Sequence, residues 1–137
     1  MSVWAYSSTF NAQYLYVLKK PVNTQWQLFS DPTTGVAVHG GGSDAGCQSQ
    51  VFPAGNKWHM ITATISGTAC LIYVDGALVF TGTVTAIGNG TTAGTNDVLI
   101  STYDGTNYPF NGRMDEVRVY NRALSADEVK RLYNLGR

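Results

Sequence analysis

Apolar and polar residues alternate with a period of two along most of the chain, in short stretches separated by turn-forming residues. This alternation is typical of β-strands with one buried and one wetter face, and a strand spacing of about ten residues is typical of antiparallel sheets. The predicted strands are Val3 to Tyr6, Tyr14 to Lys19, Trp26 to Ser30, Val36 to His39, Gln48 to Phe52, Trp58 to Ile65, Ala69 to Val74, Leu78 to Val84, Val98 to Tyr103 and Val117 to Tyr120.

The turns between these strands support the same architecture. Asp75-Gly76 predicts a two-residue hairpin, because glycine readily adopts the positive φ that a primed turn requires. Asp31-Pro32-Thr33-Thr34-Gly35 indicates another turn, with proline at its preferred φ. Many short strands with turns between them predict an all-β fold, a two-sheet antiparallel β-sandwich of the jelly-roll type.

The hydrophobic period changes once, near the C-terminus. Ser125 followed by Glu128 is a capping box, and Leu124 before the cap can pack on Val129. Apolar residues at 129, 132 and 133 follow helical spacing, so one face of a short helix can lie against a sheet.

Asp115 occupies an unusual position in the pattern of the last strand. It lies two residues before Val117 and four before Val119, and alternate residues of a strand share a face. Its carboxylate is therefore on the face predicted to point inward. An unpaired carboxylate among apolar groups costs several kcal/mol. We therefore expect Asp115 to be hydrogen-bonded, paired or bound to a metal ion.

Composition narrows the range of partners. The chain has 137 residues, which predicts one domain covering residues 1–137, with a formal net charge of zero and only 13% charged residues. Nucleic acid and anionic membranes require a basic stripe that the sequence lacks. We expect this chain to contain neither a membrane-spanning segment nor a signal peptide.

Four motifs in order resemble a known family. They are Ser2-Val3-Trp4-Ala5-Tyr6, Lys57-Trp58-His59-Met60-Ile61-Thr62-Ala63-Thr64, Leu71-Ile72-Tyr73-Val74-Asp75-Gly76, and a C-terminal Met114-Asp115-Glu116-Val117-Arg118-Val119-Tyr120-Asn121-Arg122 strand followed by the capped helix. This set resembles laminin-G-like jelly rolls of the concanavalin A-like lectin/glucanase superfamily. The resemblance covers nearly the whole chain.

The resemblance implies a concanavalin A-like sandwich, an extracellular or cell-surface setting, and a calcium ion at the sandwich rim with Asp115 as a ligand. Oxygen ligands suit this hard cation. A carboxylate that accepts backbone N–H bonds is the alternative for Asp115. Related domains carry a further strand before the Ser2 motif, so we expect a jelly roll shortened at its N-terminus. Its open edge could be covered by a second copy in a homodimer.

Catalytic motifs are weak in this chain. His39-Gly40-Gly41-Gly42 resembles an oxyanion loop, but the nucleophile elbow that accompanies such a loop is absent from the sequence. A two-carboxylate glycosidase is disfavoured because the only glutamates are Glu116 and Glu128. His59 is predicted to be structural, with a backbone carbonyl or hydroxyl as its partner. We therefore expect a domain that is not an enzyme.

The remaining hypothesis is a non-catalytic binding module for carbohydrate or adhesion. Sugar recognition combines aromatic stacking with hydrogen bonds from Asp, Asn and the backbone. We predict ligand-binding residues at Trp26, with Tyr14 or Tyr16 as further platforms, and in one turn at Tyr103, Asp104, Asn107 and Tyr108. Trp4 and Trp58 are assigned to the core. A structural or protein-interaction domain with no sugar ligand is the alternative.

The two cysteines, Cys47 and Cys70, are too few for a disulfide framework. The preferred interpretation is two small buried hydrophobic residues, and a single bridge between neighbouring strands is the alternative.

Overall fold

The structure, a computed structural model, describes residues 1–10, 15–19, 26–39, 47–51, 53–84, 98–102, 106 and 108–136. The strands in this part of the chain are β1 (Ser2–Ser7), β2 (Leu15–Lys19), β3 (Gln27–Asp31), β4 (Gly35–His39), β5 (Lys57–Ser66), β6 (Ala69–Val74), β7 (Ala77–Thr83), β8 (Leu99–Ile100) and β9 (Arg113–Arg118), and one helix follows, α1 (Ala126–Leu135). The strands form two antiparallel sheets, ordered β7-β6-β5-β1-β9 and β4-β3-β2-β8. The predicted all-β fold with two sheets is confirmed.

The main core lies between the two sheets. Alternate residues of each strand point into it because side chains of a strand alternate between faces. On the five-stranded sheet, Val3 of β1 lies opposite Ile61 of β5, and both are buried. The buried members of this core are Val3, Ala5, Phe10, Leu28, Val36, Val38, Cys47, Ile61, Ala63, Cys70, Ile72, Val84 and Phe110.

A second apolar layer lies on the outer face of the five-stranded sheet, where helix α1 packs. Met60 of β5 and Tyr73 of β6 are buried there with Leu124 and Val129. Burial raises the pKa of the Tyr73 hydroxyl above its ordinary value. The sheet therefore carries apolar residues on both faces, one covered by strands and the other by a single helix.

The predicted cap of α1 is confirmed. The Ser125 Oγ accepts the Glu128 N–H at 3.3 Å, and the Glu128 carboxylate accepts the Ser125 N–H at 2.8 Å. The same carboxylate accepts two bonds from the Arg122 guanidinium. The bonds from Arg122 and Ser125 lower the pKa of Glu128 from 4.5 to about 2.

The hairpin between β6 and β7 is confirmed, and its turn also orders a histidine. Asp75 and Gly76 both have positive φ, 54° and 77°, as a type I′ turn requires. The Asp75 carboxylate accepts the Met60 N–H at 2.9 Å and lies 2.8 Å from His59 Nδ1. His59 Nε2 lies 3.0 Å from the Ala54 carbonyl oxygen. His59 is thus buried and structural, as predicted.

Cys47 and Cys70 form a disulfide, so the preferred interpretation of two unbonded cysteines is wrong. Cys70 belongs to β6 of the five-stranded sheet. Cys47 lies beside β4 of the other sheet, because its carbonyl accepts the Val38 N–H. The bond therefore connects the two sheets across the core, a pairing that spacing along the chain does not indicate.

The inward position predicted for Asp115 is also wrong. Glu116 has a φ of 52°, and the pairing of β9 with β1 shifts register between Ser2 and Trp4. This bulge adds one residue to β9, so Met114 and Val117, three apart, both pack on the main core. Asp115 is exposed on the other face.

Strand β9 forms one end of the five-stranded sheet, with β1 as its neighbour. Arg113, Glu116 and Arg118 are exposed along it, and Arg118 pairs with Glu116. Exposed charges of this kind discourage pairing of an edge strand with another chain. In the described part of the chain, the helix is too short and too polar to cross a membrane.

Candidate functional site

Aromatic residues gather on the outer face of the five-stranded sheet, beside α1. Tyr6 of β1 lies opposite Trp58 of β5, and Trp4 of β1 lies opposite Met60 of β5. On its other side, Trp4 faces Asp115 of β9. Because residues two apart on a strand share a face, Trp4, Tyr6, Trp58 and Asp115 lie together on this surface.

Trp58 is the most exposed member of this group, with 42% of its surface accessible. Its ring centroid lies 5.8 Å from that of Tyr6, at an angle of 54°. The Arg113 guanidinium lies over the Tyr6 ring, 5.9 Å from its centroid, a cation–π arrangement. Tyr6 is therefore half-buried among its neighbours, whereas Trp58 is exposed to solvent.

The end of α1 fixes the second tryptophan. Trp4 stacks on Tyr133 with a centroid distance of 5.6 Å and an interplanar angle of 20°. Gly136, directly after the helix, leaves no room for a side chain, since an added Cβ would lie 2.5 Å from Trp4 Nε1. Half-buried Trp4 is thus held in place by packing before any ligand arrives.

These groups line a cavity of about 590 Å³ on the outer face, the largest of three described cavities. Its lining residues are Trp4, Trp58, Asp115, Glu116, Tyr133 and Gly136. We call it the outer-face cavity. Its volume falls within the ~300–1,000 Å³ that small-molecule sites usually occupy, and it combines apolar walls with a few polar groups.

The carboxylates of the cavity come from the bulge in β9. Asp115 Oδ1 accepts the N–H of Glu116 at 2.7 Å, which supports the backbone where φ is positive. The Glu116 carboxylate is paired with the Arg118 guanidinium. In a regular strand, the neighbouring residues Asp115 and Glu116 would point to opposite faces of the sheet. The bulge brings both carboxylates to the same cavity.

The sequence-predicted site residues are not assembled into one site by the described structure. Trp26 is half-buried against the main core and lines a separate cavity of about 250 Å³ with Met1, Ile65 and Tyr120. Tyr108 is 51% exposed and lies two residues before Phe110, which bonds to Ser101. Tyr103, Asp104, Asn107 and Tyr14 lie outside the described residues, as does the side chain of Tyr16.

Calcium at Asp115 stays a prediction. Across the described ranges, the structure contains no group of three or more His, Cys, Asp or Glu side chains that could hold a metal ion. Asp115 does accept a backbone N–H, which was the alternative interpretation for this carboxylate.

Sequence reasoning missed Trp4, Trp58 and Tyr133 because it assigned both tryptophans to the core. Strand parity contained a signal that could have found them. Val3 and Ala5 are small and buried, so Trp4 between them and Tyr6 after them must lie on the opposite face. Which face remained open could not be deduced without the position of the helix.

The fold of this chain is similar to that of several solved structures. The chain is similar in structure to domain 4 of AbnA, an extracellular GH43 arabinanase of Geobacillus stearothermophilus that was solved in complex with arabinotriose. The two sequences are 18% identical, the match covers 96% of this chain and 64% of that chain, and the TM-score is 0.73. It is also similar to the binding domain of Paraclostridial Mosquitocidal Protein 1, at 18% identity, 98% and 36% coverage and a TM-score of 0.71.

A third similar structure is an S-layer domain-containing protein of Clostridium thermocellum, at 18% identity, 90% and 64% coverage and a TM-score of 0.51. This chain thus spans less than two thirds of each of these structures, and at such identities the likeness shows the fold alone. No curated protein sequence matches the chain significantly. A family model of the concanavalin A-like lectin/glucanases superfamily matches residues 1–130. The chain therefore belongs to the laminin-G-like family of this superfamily.

Proposed function

We propose that this domain is a non-catalytic carbohydrate-binding module and that the outer-face cavity is its binding site. The observation that carries the proposal is Trp58, which is 42% exposed and lines a cavity of about 590 Å³ together with Asp115. A sugar ring has an apolar face that stacks on an aromatic side chain and hydroxyl groups that donate to a carboxylate.

An indole that is exposed to water has a free-energy cost. A large aromatic side chain gains more stability when it is buried, so its exposure beside a cavity indicates a binding surface. Stacking of Trp4 on Tyr133 fixes the opposite wall of the cavity. Less side-chain conformational entropy is therefore lost when a ligand binds. Both features suit a preformed site for a small, partly apolar ligand.

The similar arabinanase domain supports this proposal, because it was solved in complex with arabinotriose. The second similar structure is itself described as a binding domain. These proteins support a binding role for this chain, while the sugar that it binds has to be determined by experiment.

We propose no catalytic role for the two carboxylates. A glycosidase needs a general acid that stays protonated, which enzymes usually achieve by burial in an apolar pocket. Asp115 and Glu116 are both exposed, and Glu116 is paired with Arg118. This arrangement suits recognition of hydroxyl groups more than proton transfer.

We also propose that the domain functions outside the cell. Disulfides persist in oxidising compartments, and Cys47 and Cys70 are bonded across the core. One similar structure comes from an extracellular enzyme and another from an S-layer domain-containing protein, in agreement with this setting.

A glycan array followed by calorimetry tests the function. We expect a saccharide ligand whose affinity falls by about 2 kcal/mol, roughly 30-fold, in Trp58→Ala, because a centrally placed aromatic contact is lost. Ile100→Ala is the matched control, since Ile100 is 49% exposed but lies on the other sheet. An unchanged affinity in Trp58→Ala would contradict the assigned site. An array without any saccharide signal would favour a protein-interaction domain.

The calcium ion predicted at Asp115 has a separate test. If Asp115 binds calcium, a chelator should lower the melting temperature of the unmodified domain and leave that of Asp115→Ala unchanged, because a ligand stabilises the folded state to which it binds. If the chelator leaves the melting temperature of the unmodified domain unchanged, calcium binding at Asp115 is contradicted.

A further inference from the structure

The outer-face cavity is acidic. Its two ionisable carboxylates are Asp115 and Glu116, and no Lys or Arg is among its described lining residues. Of the cations of β9, Arg118 pairs with Glu116, and Arg113 keeps its charge over the Tyr6 ring. Among the described lining residues, Asp115 is therefore the carboxylate without an ion-pair partner.

Asp115 has one oxygen in use. Its Oδ1 accepts the Glu116 N–H, and among the described contacts its second oxygen accepts no hydrogen bond. A carboxylate can accept several hydrogen bonds, and those from charged donors are the strongest. The site therefore offers an unused anionic acceptor on the same sheet face as an exposed indole.

The aromatic side chains favour the same kind of group. An ammonium near the face of a tryptophan is attracted by the electrons of the ring, and the attraction increases when water is partly excluded. Trp4, Trp58 and Tyr133 all line the cavity with Asp115. A sugar with a charged amino group would satisfy both the aromatic faces and the carboxylate.

We propose that the cavity selects saccharides with a free, positively charged amino group and rejects uronic acids. This inference rests on the proposed carbohydrate function and adds the charge class of the ligand. A neutral sugar binds through its apolar face and its hydroxyl groups, an amino sugar adds an ion pair with Asp115, and a uronate places a second negative charge beside it.

Three oligosaccharides of equal length test the inference, built from glucosamine, N-acetylglucosamine or galacturonic acid. Calorimetry is done at about pH 6, where an aliphatic amine is protonated and a carboxylate is ionised. We expect the glucosamine oligomer to bind about three- to fivefold more tightly than its acetylated form, the range for a partly exposed ion pair, and the uronate to bind least. Salt at about 1 M should remove the difference by screening.

Asp115→Asn is the decisive variant, since asparagine keeps an oxygen to accept the Glu116 N–H. It should bring the affinity ratio of the glucosamine and acetylated oligomers close to one. Asp127→Asn is the matched control, because it makes the same charge change in the first turn of α1, about 14 Å along the helix from Gly136. An unchanged melting temperature for both variants excludes misfolding.

The outcomes separate this inference from the function on which it rests. Equal affinity for the glucosamine and acetylated oligomers, or tighter binding of the uronate, would overturn charge selection and leave carbohydrate binding intact if Trp58→Ala still weakens it roughly 30-fold. A ratio that persists in Asp115→Asn would also overturn it. Failure of all three oligomers together with an array without signal would contradict the proposed function itself.

Discussion

The two faces of the five-stranded sheet are both apolar, yet they are built differently. The face toward the second sheet carries small and branched residues such as Ala5, Ile61 and Ile72, each at most 1% exposed. The face toward α1 carries large aromatic residues, of which Trp58 is 42% exposed. The second sheet buries these inner residues, whereas one helix of ten residues covers only part of the outer face. The uncovered part of the outer face is the candidate binding site.

This difference predicts that the inner face determines stability and that the outer face contributes mainly to binding. The largest effect is expected for Ile72→Ala on the inner face, which should destabilise the domain by about 4 kcal/mol, because a cavity remains in a packed core. Urea denaturation measures this loss. A loss below about 1 kcal/mol would show that the inner face is not tightly packed.

The next largest effect concerns the disulfide between the sheets. Replacing Cys47 and Cys70 together by alanine should cost about 3 kcal/mol, since the unfolded chain regains the freedom of a closed loop of about 24 residues. Thermal unfolding with and without a reductant checks this expectation. The reductant should lower the melting temperature of the unmodified chain and leave that of the double variant unchanged, and an effect on both would point to another cause.

A smaller effect is expected at the helix that partly covers the outer face. Ser125→Ala removes the oxygen that accepts the Glu128 N–H and should cost about 1 kcal/mol. An unchanged urea midpoint would contradict the role of this cap. Because α1 holds Trp4 through Tyr133, ligand affinity should fall as well when the helix is loosened.

The cap also makes a prediction about pH. The bonds from Arg122 and Ser125 lower the pKa of Glu128 to about 2 in the folded state, below its ordinary value of 4.5. A carboxylate with a lowered pKa contributes stability that is complete above about pH 4.5 and is lost as the pH falls through about 2. Glu128→Gln should therefore lose less stability than the unmodified domain over this pH range. The same loss of stability in both proteins between about pH 4.5 and 2 would contradict this expectation.

The smallest effect is expected at the edge formed by β9. The open edge beside this strand is the basis for a homodimer, while Arg113, Glu116 and Arg118 along it oppose pairing. A dimer would show a mass that rises with concentration in light scattering and a melting temperature that rises with it. A mass that stays at one chain at high concentration would remove the dimer.

Local sequence was sufficient to predict the features that depend on neighbouring residues. The Asp75-Gly76 turn and the cap by Ser125 and Glu128 are examples, since backbone preference and short-range hydrogen bonds decide both. The all-β architecture followed from periodicity for the same reason.

Features that depend on distant parts of the chain could not be predicted in this way. The bulge at Glu116 places Asp115 and Val117 on opposite faces, and alternation has no means of showing an inserted residue. The Cys47–Cys70 bond depends on how the two sheets meet. The site at Trp58 depends on where a single helix ends, which leaves one aromatic residue covered and another exposed.

The most direct test of the account compares thermal unfolding of the unmodified domain and Trp58→Ala, each with and without the saccharide that the array identifies. Without ligand, the two should differ by less than about 1 kcal/mol, since half-exposed Trp58 contributes little to stability. With ligand at about 100 times its Kd, the unmodified domain should gain about 2.7 kcal/mol and the variant, whose affinity is roughly 30-fold weaker, only about 0.9 kcal/mol. A variant that loses several kcal/mol without ligand, or gains as much as the unmodified domain with it, would contradict the division between the two faces.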